Sequence, residues 1–270
     1  VVRNDNGRLN RYVHIGTGNY NPKTARSYED FGLLTTDPQV GEGVASLFNH
    51  LSGYGVQGIH PRLIVAPQEL RTELISKIDR EARNAREGLR AGIRIKCNAL
   101  VDEAIADAMY RASQAGVKID LVVRGICNLR PGLAGLSENI RVRSILGRFL
   151  EHSRRYECEN AGSRETYIGS ADLMHRNLDR RVECLVRLHK PDADTVSETF
   201  DIALSETTAS WHLDGSGKWT RVHIGQDGDP LDDYQEVLIK RHPVRHISAE
   251  ESQPRRLDHL LRKVGLRGFK

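Results

Sequence analysis

Long apolar runs, paired cysteines and aromatic side chains are all scarce in this chain, and each shortage removes a class of protein. No stretch approaches the roughly 18 consecutive apolar residues of a membrane-spanning helix, so no span is expected. The opening VVRNDNGRLNRYVHIG carries charge and asparagine where a secretory signal needs an apolar core, which points to a cytoplasmic protein. The four cysteines, Cys97, Cys127, Cys158 and Cys184, form neither a C-x-x-C pair nor the dense pattern of a disulfide-stapled domain. They read as plain thiols of a reducing compartment, not as a metal site. Aromatic residues make up only 6% of the sequence, which supplies a base-stacking platform thinly and argues against a specific nucleic-acid partner.

Lysine is missing from one long region as well. Between Lys118 and Lys190 the strongly basic side chains are all arginine, among them Arg124, Arg141, Arg143, Arg154, Arg155 and Arg181. A solvated surface normally mixes in lysine, whereas planar guanidinium groups suit paired hydrogen bonds to phosphate oxygens. A GC-rich coding sequence produces the same bias, so both readings stand. The net charge of +4 is mild and adds little.

What is present is a 39% apolar fraction over 270 residues, enough to fill a sizeable core. A short strand is expected at 11–15, and a helix near 40–51 that buries Val44, Leu47, Phe48 and Leu51 at helical spacing. SGYGVQGIHP then interrupts with glycines and a proline, which sets a boundary near residue 60. RLIVAP reads as a buried strand, with Pro67 opening a helix that carries Leu70, Leu74 and Ile78 inward. GIRIKCNAL, a helix capped by Asp102 and stopped by Gly116, and VKIDLVVRGI make a β-α-β unit, so a parallel pair is expected. That unit leaves Arg124 at the carboxyl end of a strand, where open α/β sheets place ligands. Strands at 140–145, 153–157, 165–169 and 181–188, a helix near 193–204, a hairpin beyond 208 and a charged tail complete the pattern.

Two segments echo each other. HIGTGNYN and YIGSADLMHRN both run from a strand into a turn of small residues, and such turns expose N–H groups and a hydroxyl able to grip phosphate. Each alone is also readable as an ordinary loop; as a pair they suggest duplicated halves with one site between them. Upstream of the second lies EHSR, where His152 and Arg154 at i and i+2 on a strand would enter one pocket together. The imidazole there could move a proton or act as a nucleophile, against the plainer reading of a half-buried structural histidine.

HIGTGNYNPKTARSYEDFGLLTTD, the block from RASQAG through LEHSR, and YIGSADLMHRNLDRRVE together resemble the carboxyl-terminal catalytic region of bacterial polyphosphate kinase, the type built on the phospholipase D fold. The likeness is dense from about residue 11 to about 204. It implies an α/β fold in which 1–60 is the remainder of a first phospholipase D-like lobe, 61–207 a largely complete second lobe, and 208–270 a hairpin and tail. It also implies reversible transfer of the ATP γ-phosphate to inorganic polyphosphate through a phosphohistidine, with Mg2+ assisting. The family's nucleotide-contacting positions fall on Tyr28 in TARSY, Arg124 in VVRG and His152 in LEHSR, and a phosphate-site arginine on Arg181 in NLDRR. The phosphorylated histidine and the magnesium ligands are expected upstream of Val1, so this stretch by itself is expected to be inactive. A cytoplasmic, possibly membrane-peripheral enzyme that is homo-oligomeric when full length completes the expectation. Two other readings are carried beside it: a phospholipase D-like phosphodiesterase or nuclease, weakened because Arg154 stands where the lysine of H-x-K belongs, and a non-catalytic polyanion-binding module.

Overall fold

The four residues Leu63–Ala66 are all buried, but they point to two different places: Leu63 and Val65 into one apolar cluster, Ile64 and Ala66 into another. Successive strand residues face opposite sides, so a run with no polar position belongs to a strand covered on both faces. The same division recurs on neighbouring strands, where Tyr167 and Leu185 enter one cluster while Ile168 and Val186 enter the other. The sheet is therefore the middle layer of three.

The computed structural model describes residues 1–5, 7–55, 58 and 62–242. In chain order the amino-terminal part contains β1 (Val2–Asp5), β2 (Arg8–Arg11), β3 (Val13–Gly16), β4 (Tyr28–Glu29), β5 (Gly32–Thr35) and α1 (Pro38–Leu51). Then come β6 (Leu63–Ala66), α2 (Leu70–Arg86), β7 (Gly92–Cys97), α3 (Glu103–Gln114), β8 (Lys118–Val123), β9 (Ile140–Ser144), β10 (Leu150–Glu151), β11 (Arg154–Cys158), β12 (Glu165–Gly169), β13 (Glu183–Arg187), α4 (Lys190–Leu204), β14 (Ser210–Leu213) and β15 (Trp219–Val222). The main sheet has nine strands in the order β15-β14-β9-β8-β7-β11-β12-β13-β6. Only β7-β8-β9 are parallel, which makes the sheet mixed and the fold α/β as expected. Residues Val1–Glu236 form one compact unit and Val237–Lys270 a second, of which 237–242 are described; the expected charged tail from 243 onward lies outside the described residues.

Local signals explain most boundaries. Asp102 caps α3, its Oδ1 accepting from the Ile105 N–H at 3.1 Å, and Gly116 takes the positive φ of +90° that lets the chain turn into β8. Helix α2 presents Leu70, Leu74, Ile78 and Ala82 to the core, but it starts at Leu70 and not at Pro67. Residues 67–69 make a turn instead, closed by the Glu69 N–H donating to the Val65 carbonyl at 3.0 Å. Helix α1 begins two residues before its expected start because Asp37 caps it, accepting from the Val40 N–H at 2.8 Å, with Pro38 next. Its apolar face is only half used. Val44 and Leu47 pack on the second cluster, whereas Phe48 and Leu51 remain exposed, since α1 meets β3 and β6 and nothing described covers its carboxyl half.

That second cluster joins residues on both sides of the glycine-rich interruption. Val13, Ile15 and Val40 pack with Val65, Ile168 and Val186, and β4 pairs in parallel with β10. The hairpin beyond 208 likewise continues the main sheet, with β14 pairing antiparallel to β9.

Candidate functional site

The two small-residue turns lie where strands end, but their hydroxyls do not point to solvent. Thr17, 2% exposed, donates from Oγ1 to Asp30 Oδ1 at 2.7 Å and accepts from the Phe31 N–H at 2.9 Å. Ser170 donates to a Glu183 carboxylate oxygen. In both turns the acceptor lies 13 residues beyond the hydroxyl, so the duplication seen in the sequence extends to a carboxylate in each half. One amide of each turn is also used: Thr17 N–H goes to the Phe31 carbonyl and Ser170 N–H to that of Cys184. The hydroxyls expected to grip phosphate position carboxylates instead. Glycine is required for the approach at Gly18, where a Cβ would fall 2.0 Å from Asp30 Oδ2.

Asp30 in turn holds His152, with its two carboxylate oxygens 2.9 and 3.1 Å from Nδ1. The His152 N–H donates to the Glu29 carbonyl at 3.3 Å, and the β4-β10 pairing brings the Tyr28 ring to 4.7 Å from the imidazole centroid at 36°. With Nδ1 turned to Asp30, Nε2 is the ring atom available for proton transfer. A histidine held by a carboxylate 122 positions away, beside a tyrosine from the same segment, is an arrangement no local pattern would show, and it marks a candidate site.

Arg154 behaves otherwise than the strand alternation suggested. Strand β11 begins at Arg154, so His152 lies outside it and the i, i+2 rule does not apply. The guanidinium is 7% exposed and grips Asp172 with two bonds, Nε to Oδ1 at 3.2 Å and Nη2 to Oδ2 at 2.9 Å, while Nη1 donates to the His152 carbonyl at 2.5 Å. Arg154 is a strut that ties the second turn to the loop of His152. Asp172 Oδ1 also accepts from the Asn98 N–H at 2.7 Å, and the Asn98 side-chain oxygen receives a bond from Arg124 Nη2. Arg124 therefore stands in one network with His152 and Arg154, and its Nε is buried with no partner among the described residues. Burial and the Arg154 cation push the Arg124 guanidinium below its usual pKa, opposed by Asp172 and Tyr28. Such a donor favours an added anion.

Tyr28 and His152 are thus in contact, and Arg124 is linked to them only through Asn98, Asp172 and Arg154. Arg181 stands apart from them: half-exposed, it reaches only Glu183 among the described residues, with Nη1 3.9 Å from Oε1, and is linked to the Ser170 turn through that carboxylate. Asn177 completes the Glu183 environment, donating from Nδ2 to Oε1 at 2.6 Å.

Beneath the wall lies a buried ionic cluster that sequence reading missed. Lys96, 2% exposed, places Nζ 2.5 Å from Glu29 Oε2, 2.6 Å from Glu151 Oε2 and 2.8 Å from Ser153 Oγ. Arg155, directly opposite Lys96 in the β7-β11 pair, is fully buried and donates to the Tyr234 hydroxyl at 3.2 Å. Burial by itself would raise the Glu29 carboxyl; Lys96 and Arg155 overturn this and hold it at about 2. A depressed carboxyl stabilises the fold above its unfolded pKa and loses that contribution as pH falls through the folded value, so the loss is expected between about pH 4.5 and 2. Acid titration of the chain followed by circular dichroism should show that loss, worth about 3 kcal/mol. It should be largely absent in Glu29→Gln, and an unchanged acid limb in that variant would remove Glu29 from the account.

Among the described residues no three carboxylate, imidazole or thiolate groups converge as a metal site, and no helix is long and apolar enough to cross a membrane.

Comparison with known proteins places this geometry in a family. Residues 63–232 match the family described as polyphosphate kinase C-terminal domain 2, and residues 1–57 match polyphosphate kinase C-terminal domain 1. A polyphosphate kinase of Streptomyces coelicolor is 57% identical over 240 residues, covering 88% of this chain and 32% of that protein. One from Mycobacterium tuberculosis is 51% identical over 247 residues, covering 90% of this chain and 33% of that protein. The chain thus spans about a third of the length of these curated relatives. The crystal structure of polyphosphate kinase from Porphyromonas gingivalis superposes with a TM-score of 0.79 at 34% identity, covering 87% of this chain and 37% of that one.

Proposed function

The chain belongs to the polyphosphate kinase family, and from that premise we propose that it supplies one wall of an ATP:polyphosphate phosphotransferase site. The observation that carries the proposal is the His152 imidazole, fixed through Nδ1 by Asp30, stacked beside Tyr28 and linked through Arg154, Asp172 and Asn98 to the partly unpartnered Arg124.

Phosphoryl transfer asks little covalent chemistry of a protein and much positioning of charge. In the proposed reaction the ATP γ-phosphorus loses its bond to the β-bridging oxygen as a histidine nitrogen attacks, releasing ADP. The N–P bond then breaks as a terminal oxygen of polyphosphate attacks, lengthening the polymer by one unit. The attacking histidine is the family's phosphorylated residue, expected outside these 270 residues. His152 Nε2 would exchange a proton with the bridging or terminal oxygen, Arg124 would neutralise charge on the equatorial oxygens, and Tyr28 would contact the nucleotide. Arg181, reaching the site across Glu183, would contact phosphate at its edge. By the correspondence between the two turns, Glu183 would hold the attacking imidazole as Asp30 holds His152. Mg2+ would assist the transfer, held by ligands expected outside these 270 residues, since no group of three candidate ligands stands together among the described residues. The proposal carries with it a cytoplasmic, homo-oligomeric enzyme acting on ATP, ADP and inorganic polyphosphate.

A phosphodiesterase is not favoured, because Arg154 stands at the lysine position of H-x-K and is consumed by Asp172. The test is transfer of label from γ-labelled ATP into an acid-insoluble, nuclease-resistant polymer by a polypeptide of the relatives' length that carries this chain. Label appearing only as orthophosphate would reject the reading. In the same assay Arg124→Lys, which keeps the charge but loses the planar fork, should lower the rate by about ten- to a hundredfold. A wild-type rate would make Arg124 structural.

A further inference from the structure

The segment that carries His152 is also held by a side chain from near the far end of the described residues. Asp232 is tied to the lead-in of β14, its N–H donating to the Thr207 carbonyl at 2.8 Å and its carbonyl accepting from the Ala209 N–H at 2.9 Å. Asp233 then caps helix α5 (Tyr234–Arg241), its Oδ1 accepting from the N–H groups of Gln235 at 2.8 Å and Glu236 at 3.0 Å. This start delivers Gln235 into the protein, where it is 4% exposed.

A primary amide has two hydrogens to give and an oxygen to receive with, and Gln235 commits all of them to the stretch before His152. Its Oε1 accepts from the Phe149 N–H at 2.7 Å, while its Nε2 donates to the Phe149 carbonyl at 2.8 Å and to Glu151 Oε1 at 2.6 Å. One side chain thus serves both peptide groups of Phe149, as a facing residue in an antiparallel pair would. Gly147 makes room for it: a Cβ there would fall 2.5 Å from Gln235 Cδ. The other Glu151 oxygen lies 2.6 Å from Lys96 Nζ, which also holds Glu29 across the β4-β10 pair. That pair has only two residue positions, Leu150 with Tyr28 and Glu151 with Glu29, too few to fix a register unaided. A slip of one residue would turn the side chain of His152 away from Asp30.

We propose that Gln235 is a positioning residue for His152: its amide sets the register of residues 149–151 along β4 and thereby the place of the imidazole. The working unit then extends beyond residue 232, where the match to polyphosphate kinase C-terminal domain 2 ends. Asparagine would be one methylene too short for this role, and glutamate would lack the two hydrogens. That the imidazole so placed takes part in phosphoryl transfer rests on the function proposed above.

Gln235→Met keeps the bulk and removes all three bonds. In the 270-residue chain the His152 ring should then lose the nuclear magnetic resonance signature of its Asp30 bond, and Gly147→Ala, which crowds the amide without altering it, should do the same. In a polypeptide of the relatives' length Gln235→Met should lower kcat for polymer synthesis by about ten- to a hundredfold while KM changes by less than about threefold. Gln235→Glu adds a readout that a mere strut of the fold would not move. Ionised, the introduced carboxylate can only accept and repels Glu151; protonated, it both accepts and donates. Burial and Glu151 raise its pKa, opposed by Lys96 and Arg155 beyond, so the rate relative to wild type should recover about tenfold from about pH 8 to about pH 6. Should circular dichroism show Gln235→Met unfolded, that recovery and the ring signals of Gly147→Ala decide, and a flat ratio with unchanged signals overturns the inference. An unchanged ring signal and an unchanged kcat in folded Gln235→Met overturn it equally, and leave the catalytic reading standing if wild type transfers label. A ring signal lost in the variant, with no label transferred by wild type, would keep the positioning role and reject the catalytic reading.

Discussion

Exchanging His152 for glutamine in a polypeptide of the relatives' length should lower polyphosphate synthesis by about 10²- to 10⁴-fold, the range that positioned acid–base catalysis contributes. Glutamine is the informative replacement because its amide can still donate to Asp30, which holds Nδ1 at 2.9 Å, so the loop keeps its anchor while the proton-transfer atom is gone. Nucleotide affinity should fall far less, since Arg124 has its own support from Asn98. The result would therefore be a loss in kcat with a small change in KM, which separates chemistry from binding. Asp30→Asn should reproduce part of the loss, because the amide holds Nδ1, and with it the ring orientation, less firmly than the carboxylate does. A full rate in His152→Gln would take the imidazole out of the mechanism and leave the pocket as a binding surface.

Much of the scaffold was legible because it is written locally. Leu63–Ala66 has no polar position, so it had to be a strand covered on both faces. Asp102 and Gly116 bracket a helix with a cap and a positive-φ stop, and the strands on either side of it pair in parallel. The site was legible only where a resemblance named residues: Tyr28 and His152 are in contact and Arg124 joins their network through Asn98, whereas Arg181 reaches only Glu183 among the described residues. What reading from residues missed were the carboxylates. Asp30, Glu29 and Asp172 look like solvated acids in the sequence, and what pairs with them is a cation or imidazole brought from 122, 67 and 18 positions away. One signal was available. The hydroxyl of each small-residue turn is followed 13 residues later by an acid, and pairing those acids with the duplicated turns would have pointed to Asp30 and Glu183. Arg154 was misjudged for a smaller reason, the start of β11 one residue later than expected.

The second large effect concerns the layer below the site. Lys96→Met should destabilise the fold by about 3–5 kcal/mol, because it removes the cation between two carboxylates and leaves Glu29 and Glu151 buried beside each other. Methionine fills similar volume, so the cost is electrostatic and not a cavity. The effect should reach the site, since Glu29 directly precedes the aspartate that orients His152 and its carbonyl accepts the His152 N–H at 3.3 Å. Chemical denaturation of the chain measures the first part, and the second appears as a His152 ring whose nuclear magnetic resonance signals lose the signature of its Asp30 bond. A second variant distinguishes charge from shape: adding Glu151→Gln to Lys96→Met leaves the Glu29 carboxylate beside the Arg155 cation, and the double variant should recover most of the lost stability because the remaining buried charges balance. If Lys96→Met alone unfolds no more readily than wild type, the lysine is not what holds the Tyr28–Asp30 segment against the sheet, and the anchoring of the imidazole must come from the β4-β10 pairing alone.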